Sequence, residues 1–255
     1  MEWLLIAVIV VLAAAYVVWR SRKNRERAAV ELADALADAR RTNERLGGQI
    51  YNLTGTDDAS RQALADAAER YTAAGSQLDL ARSARQAALA GQTAVEGLYY
   101  IRAARTAMGM DPGPPVPELD GRETAGAVSE ERVVDFENRR ITAAPGPSPA
   151  TPNYYPGGRV AGRPVPAGWY SEPWWKPALV SGAWGVGSVL LFTSLFSGMA
   201  GVGYGAQGFE TGYGEGYQDG LSGGDGGSGF DPGGQGDSGG DWGGFDGGGF
   251  DGGGF

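Results

Sequence analysis

The chain has no cysteine and no histidine among its 255 residues. The missing thiols exclude disulfides, thiol nucleophiles and Cys/His zinc sites. The missing imidazole removes the commonest general base near neutral pH. P-loop, G-x-S-x-G, H-E-x-x-H and protein-kinase motif sets are absent as well. No residue is assigned as catalytic, cofactor-binding or metal-ligating, and no cofactor is expected. GGDGGSGFD (Gly223–Asp231) resembles one repeat of a calcium-binding β-roll, but Ser228 replaces the required Asp and no tandem copies follow.

Basic residues are missing from both ends. All 21 Lys and Arg lie between Arg20 and Lys176. The formal net charge is -9, and residues 201–255 hold nine acids without a base, so the remainder balances at 21 acids against 21 bases. An acidic tail repels phosphate, and no nucleic acid partner is expected.

Two uncharged apolar segments bracket the basic interval. The first is WLLIAVIVVLAAAYVVW (Trp3–Trp19), 17 residues followed by Arg20, Arg22, Lys23, Arg25 and Arg27. Its length is near the lower limit for crossing a ~30 Å hydrocarbon layer, with Trp at both ends and bases on one side. A cleaved signal peptide is the rival reading, supported by Ala13-Ala14-Ala15, but the bases follow the apolar run instead of preceding it. The second segment, Ala178–Val202, has no charge over 25 residues and is preceded by Trp169, Trp174, Trp175 and Lys176. Small residues at Ser181, Gly185, Ser194 and Gly198 permit close helix contact. A re-entrant or surface segment is the alternative.

The expected topology is therefore a two-span bacterial inner-membrane protein. Residues 1–2 lie outside, 3–19 cross, 20–110 form a cytoplasmic helical region, and 111–177 form a Pro-rich linker with a juxtamembrane aromatic end. Residues 178–202 cross back, and 203–255 form a disordered acidic tail outside. Trp3, Trp19, Arg20, Arg22, Lys23, Trp174, Trp175 and Lys176 are the expected membrane-interface anchors.

Within the helical region, Ala29, Leu32, Leu36, Ala39, Asn43, Leu46 and Ile50 step by three and four. This spacing suits an a/d seam, with Asn43 at an a position where a buried amide sets register. Two readings follow: an amphipathic helix packed on its own chain, or a parallel self-association seam. Leu32, Leu36, Asn43 and Leu46 are the candidate self-association or partner face. Thr56, Asp57 and Asp58 supply a helix start. Gly75-Ser76 suggests a break, and Met110-Asp111-Pro112-Gly113 a stop. The region reads as two or three antiparallel helices with an Ala-thin core.

Residues 111–177 hold 13 of the 14 prolines, the composition of a linker. Ser129–Ile141 is an exception, with Val133, Val134 and Phe136 fitting a short helix or strand. The tail has 26 Gly in 55 residues and ends in DWGGF, DGGGF, DGGGF. Such a chain has too little apolar content for a core, and its aromatics suit weak multivalent association.

EGLYYIRAARTAMGMDPGPPVPEL (Glu96–Leu119) and PGGRVAGRPVPAGWYSEPWWK (Pro156–Lys176) resemble a family of two-span actinobacterial membrane proteins that carries a domain-of-unknown-function label. The resemblance implies an N-terminal span, an Ala-rich helical region, a Pro-rich linker, a second span, a Gly/Asp/Phe tail and an envelope setting. It implies no activity and no ligand residues. The sequence reading is a mainly α, noncatalytic scaffold or tether whose partners are the lipid bilayer and a protein or second copy bound through the helices. The alternative is an accessory subunit of a membrane transport or signalling complex.

Overall fold

In the computed structural model the backbone of residues 2–212 is described, with the side chains of residues 2, 4–11 and 13–14 left outside that description. Three helices come first: α1 (Glu2–Tyr51), α2 (Asp58–Leu80) and α3 (Ala84–Ala107). The carboxyl-terminal half of α1 packs against α2 and α3, while residues 15–31 are exposed. Asp57 caps α2: its carboxylate accepts from the Ser60 amide at 2.8 Å, and Ser60 Oγ accepts from the Asp57 amide at 3.1 Å. This reciprocal pair satisfies two amides that the first helical turn leaves unbonded.

The break expected at Gly75-Ser76 does not occur there. Ser76 Oγ donates to the Thr72 carbonyl within an unbroken turn, and α2 runs on to Leu80. The chain turns instead where Ser83 accepts from the Gln86 amide and caps α3. Alanine and glycine keep the three helices close. Gly97 is the tightest point: a methyl group there would collide with Leu46 of α1 and come within 3.1 Å of Arg70 Cβ of α2.

The Pro-rich interval carries a second layer. After α4 (Arg122–Ala125) come β1 (Arg132–Phe136), β2 (Arg139–Ala144), β3 (Asn153–Tyr155), β4 (Gly158–Val160), β5 (Arg163–Val165) and β6 (Gly168–Tyr170). Four strands form an antiparallel sheet in the order β1-β2-β6-β3, and β4-β5 form a separate hairpin. Glu137-Asn138 and Ala161-Gly162 turn the two hairpins, all four with positive φ, as a two-residue loop matched to strand twist requires.

Both faces of this sheet are covered along β3 and β6, whereas β1 leaves Val133 and Asp135 exposed on one side. Tyr154 and Trp169 are paired in register, and Trp169 packs on Ala59, Ala63, Ala103 and Ala104 of the helices. Their chain neighbours Tyr155 and Tyr170 point to the opposite face, into the larger core. One aromatic doublet per strand thus glues two layers, because successive side chains leave a strand on opposite sides.

The second apolar segment fills that larger core and does not form one helix. It runs as α5 (Lys176–Ser181), a turn through Gly182 and Gly187 with φ of 72° and 94°, and α6 (Ser188–Phe196). The described chain ends with α7 (Ala206–Thr211). At 1.5 Å per residue, a helix of 9 residues spans about 14 Å, half of a ~30 Å hydrocarbon core. Phe192, Leu195, Phe196 and Phe209 are buried with Tyr170 and Trp175.

The two-span architecture is therefore corrected. Among the described residues, no helix is long and apolar enough to cross a membrane. The multi-pass placement and the cytoplasmic assignment of residues 20–177 lose their basis with it. The expectation for Trp3–Trp19 falls mostly on residues whose side chains lie outside the description, and the tail from residue 213 onward lies outside it entirely. The linker reading of 111–177 gives way to the strands, and its aromatic end is interior. Trp175 is buried between Tyr155 and Tyr170, with ring centroids 5.0 and 4.9 Å away.

Candidate binding groove

The residues singled out from the sequence occupy two places. Leu36, Asn43 and Leu46 face the interior of the three-helix layer, and Leu32 is half-buried above them. Leu46 is enclosed with Ala67, Leu98 and Ile101, and Leu36 packs beside Ala39, Leu78 and Ala90. The seam is filled by the chain's own α2 and α3. Asn43 is buried there, and its Oδ1 has no hydrogen-bond partner among the described residues.

Trp3, Trp19, Arg20, Arg22 and Lys23 lie on the exposed half of α1. Lys23 Nζ sits 5.3 Å from the Trp19 ring centroid, and Arg20 Nη1 donates to the Tyr16 hydroxyl at 3.3 Å. Trp174 packs on Trp184, Phe196 and Phe209. Lys176 pairs with Asp66 at 3.4 Å and Glu69 at 3.7 Å on α2. The three downstream anchors join layers of the protein.

A concavity of about 600 Å³ lies elsewhere, between the α2–α3 turn and the β3–β4 corner. Helix α3 supplies one wall through Gln86, Leu89, Gln92, Thr93 and Glu96, a spacing of three and four that keeps them on one face. Leu80 of α2 and Leu119 of the following connection add apolar surface, while Tyr155 and Arg159 close the strand side. Thr93 Oγ1 donates to Gln77 Oε1 at 2.8 Å and fixes α2 against α3. Leu80 and Leu89 are 72% and 55% exposed, so the rim is apolar and open to solvent.

The charged groups that line the groove are Glu96, Asp120 and Arg159. Glu96 sits 3.6 Å from Arg70, which also approaches Glu69 at 3.9 Å. With Asp66 and Lys176 these groups form a continuous chain of three carboxylates and two cations. Burial pushes the Glu96 carboxyl above its ordinary range, opposed by the Arg70 charge beside it. Asp66 is raised by the same cause, with Gln62 and Lys176 opposing. Burial also raises the Tyr155 phenol, which stays protonated. Gln92 Oε1 is fully covered with no hydrogen-bond partner among the described residues.

This constellation offers hydrogen-bond acceptors and negative charge below an apolar rim. Among the described residues no cluster of carboxylates could hold a metal ion. Sequence reasoning missed the groove because half of it comes from the Pro-rich interval. The available signal was the run Gln86, Leu89, Gln92, Thr93, Glu96, whose apolar member has no role in the helical core.

No family model, curated protein or solved structure matches this chain, so its functional reading rests on the geometry of this groove.

Proposed function

We propose that the chain is a noncatalytic binding protein that holds a segment of a partner polypeptide in the groove between α2–α3 and the β3–β4 corner. The carrying observation is the pairing of exposed Leu80 and Leu89 with the covered acceptor Gln92 Oε1 and the half-buried Glu96 carboxylate. Apolar walls with a few converging polar groups are the usual form of a ligand site. The ligand that suits them has an apolar side chain for the leucines and, next to it, a Lys or Arg for the carboxylate surplus. The expected scaffold role is kept, with the partner held by the bundle's outer face and the β layer instead of by the α1 seam.

Panning a phage-displayed random peptide library on the full chain tests this. The expected result is an enriched motif with an apolar residue beside a basic one. Burying a Leu contributes about 1.5–3 kcal/mol, so Leu89→Asp should weaken the enriched peptides roughly tenfold or more. Glu96→Gln should weaken them as well, and more so at low salt. No enriched sequence, or peptides indifferent to both substitutions, would sink the proposal.

A further inference from the structure

A second cleft, of about 420 Å³, lies on the other side of α3 beneath the Pro112–Val116 loop. Its charged lining groups are Arg102 of α3 and Arg122 of α4, and no carboxylate lines it. Both guanidiniums are held without a carboxylate partner among the described residues. Arg102 Nη1 donates to the carbonyls of Gly113 and Pro114 at 3.1 and 2.8 Å. Arg122 Nε donates to the Pro156 carbonyl at 2.8 Å, and its Cζ lies 4.8 Å from the Tyr99 ring centroid. These bonds fix the two cations in place and leave further N–H donors on each, since a guanidinium has five. Tyr99 and Tyr154 are half-buried and supply the aromatic wall, with the buried Trp169 behind Tyr154 at a ring-centroid distance of 5.0 Å.

Positive charge beside ring faces recognises acids placed next to aromatics. A segment of this chain has that composition. Residues 213–255 contain eight acids and no base, and an aromatic is followed directly by Asp at Phe230-Asp231, Phe245-Asp246 and Phe250-Asp251. About 30 residues of Gly-rich chain average roughly 30 Å end to end and reach about 100 Å when extended, so the repeats can reach either side of the folded part. Attachment to the same chain raises their effective concentration to the millimolar range, where weak contacts suffice.

We propose that the Arg102–Arg122 cleft is a docking site for the Phe-Asp repeats of the chain's own tail. Each Asp would take a guanidinium edge, and the preceding Phe would lie against the Tyr99 and Tyr154 rings.

The test replaces Phe245 in the full chain with p-benzoyl-phenylalanine and maps photo-cross-links by mass spectrometry. The proposal expects intramolecular cross-links to peptides covering residues 99–122 and 153–169, and their loss in Arg102→Gln/Arg122→Gln. Arg102 also holds the Pro loop, so a second variant leaves the folded part untouched: Asp231→Asn/Asp246→Asn/Asp251→Asn must lose the same cross-links. Cross-links spread over the surface, cross-links that survive the tail substitutions, or cross-links that join two chains would overturn it.

Discussion

Replacing Phe192 with Ala is expected to lower the unfolding free energy by about 3–5 kcal/mol, the usual cost of deleting a buried aromatic side chain. Phe192 is 1% exposed and stacks on Phe209 at 4.3 Å with an interplanar angle of 5°. Tyr204 stacks on it at 5.4 Å, and Phe196 lies 5.0 Å away. Three rings lose their partner together: Phe196 on α6 itself, Phe209 on α7 and Tyr204 on the connection between them. For a folded part of about 200 residues, each kcal/mol shifts Tm by roughly 2–4 °C, so the drop should be on the order of 10 °C. Val180→Ala, in the same apolar segment but 83% exposed, should leave Tm nearly unchanged. Thermal unfolding of the full chain followed by circular dichroism compares the two. Equal effects would contradict the burial pattern of α5 and α6.

Gly126→Ala should be nearly as damaging, by about 3 kcal/mol. Gly126 has φ 69° and ψ -167°, a region that essentially only glycine enters and that costs other residues about 1–3 kcal/mol. A methyl group there would also meet the Gly201 carbonyl oxygen, and overpacking adds typically 1–3 kcal/mol. That carbonyl accepts from the Ala127 amide at 2.8 Å, and the Gly126 carbonyl accepts from the Ala167 amide at 2.9 Å. One residue therefore ties the end of the second apolar segment to the start of the β layer and to the approach to β6. Denaturant melts should show a lowered midpoint with an unchanged slope if the fold survives. Gly203→Ala, with nothing within 4 Å of the added carbon, is the matched control. A Gly126→Ala midpoint equal to that control would refute the tie.

The helical region was legible because its information is periodic. Leu36, Ala39, Asn43, Leu46 and Ile50 mark one face of α1, and Asp57 announces α2 by composition alone. What the spacing did not specify is which surface covers that face. A seam satisfied by α2 and α3 and a seam satisfied by a second copy have the same period, because burial is non-directional. Val133, Val134 and Phe136 marked the place of β1, but the β layer from β3 to β6 was illegible for a different reason. Its strands of three residues are too short for alternation to register, and Pro164 lies within one of them, where prolines argue against a strand. The doublets Tyr154-Tyr155 and Trp169-Tyr170 were the usable clue, since a residue pair with both members large and apolar fits a strand buried on two faces.

The second apolar segment misled for a third reason. Hydropathy reports the cost of leaving Val189–Phe196 in water but not where those side chains go, so a bilayer and an aromatic core score alike. The deciding residues were Gly182, Gly187 and Gly198, each with positive φ, which fold the segment back on itself. Of the small residues that permitted helix contact, Gly185 and Gly198 lie in turns outside the helices, while Ser181 and Ser194 lie within α5 and α6.

The central claim is that Ala178–Val202 folds back into the protein's own core, leaving its middle open to water. The absence of native cysteine makes that directly measurable. Single substitutions Leu190→Cys and Leu195→Cys in the full chain would be reacted with a charged, membrane-impermeant thiol reagent. Leu190 is 67% exposed and Leu195 is 0% exposed, five residues apart on α6. The account predicts fast labelling at 190 and protection at 195 that is lost only in denaturant. Protection at both positions in the native chain would contradict it, because that is the result of a segment buried on all sides in a bilayer.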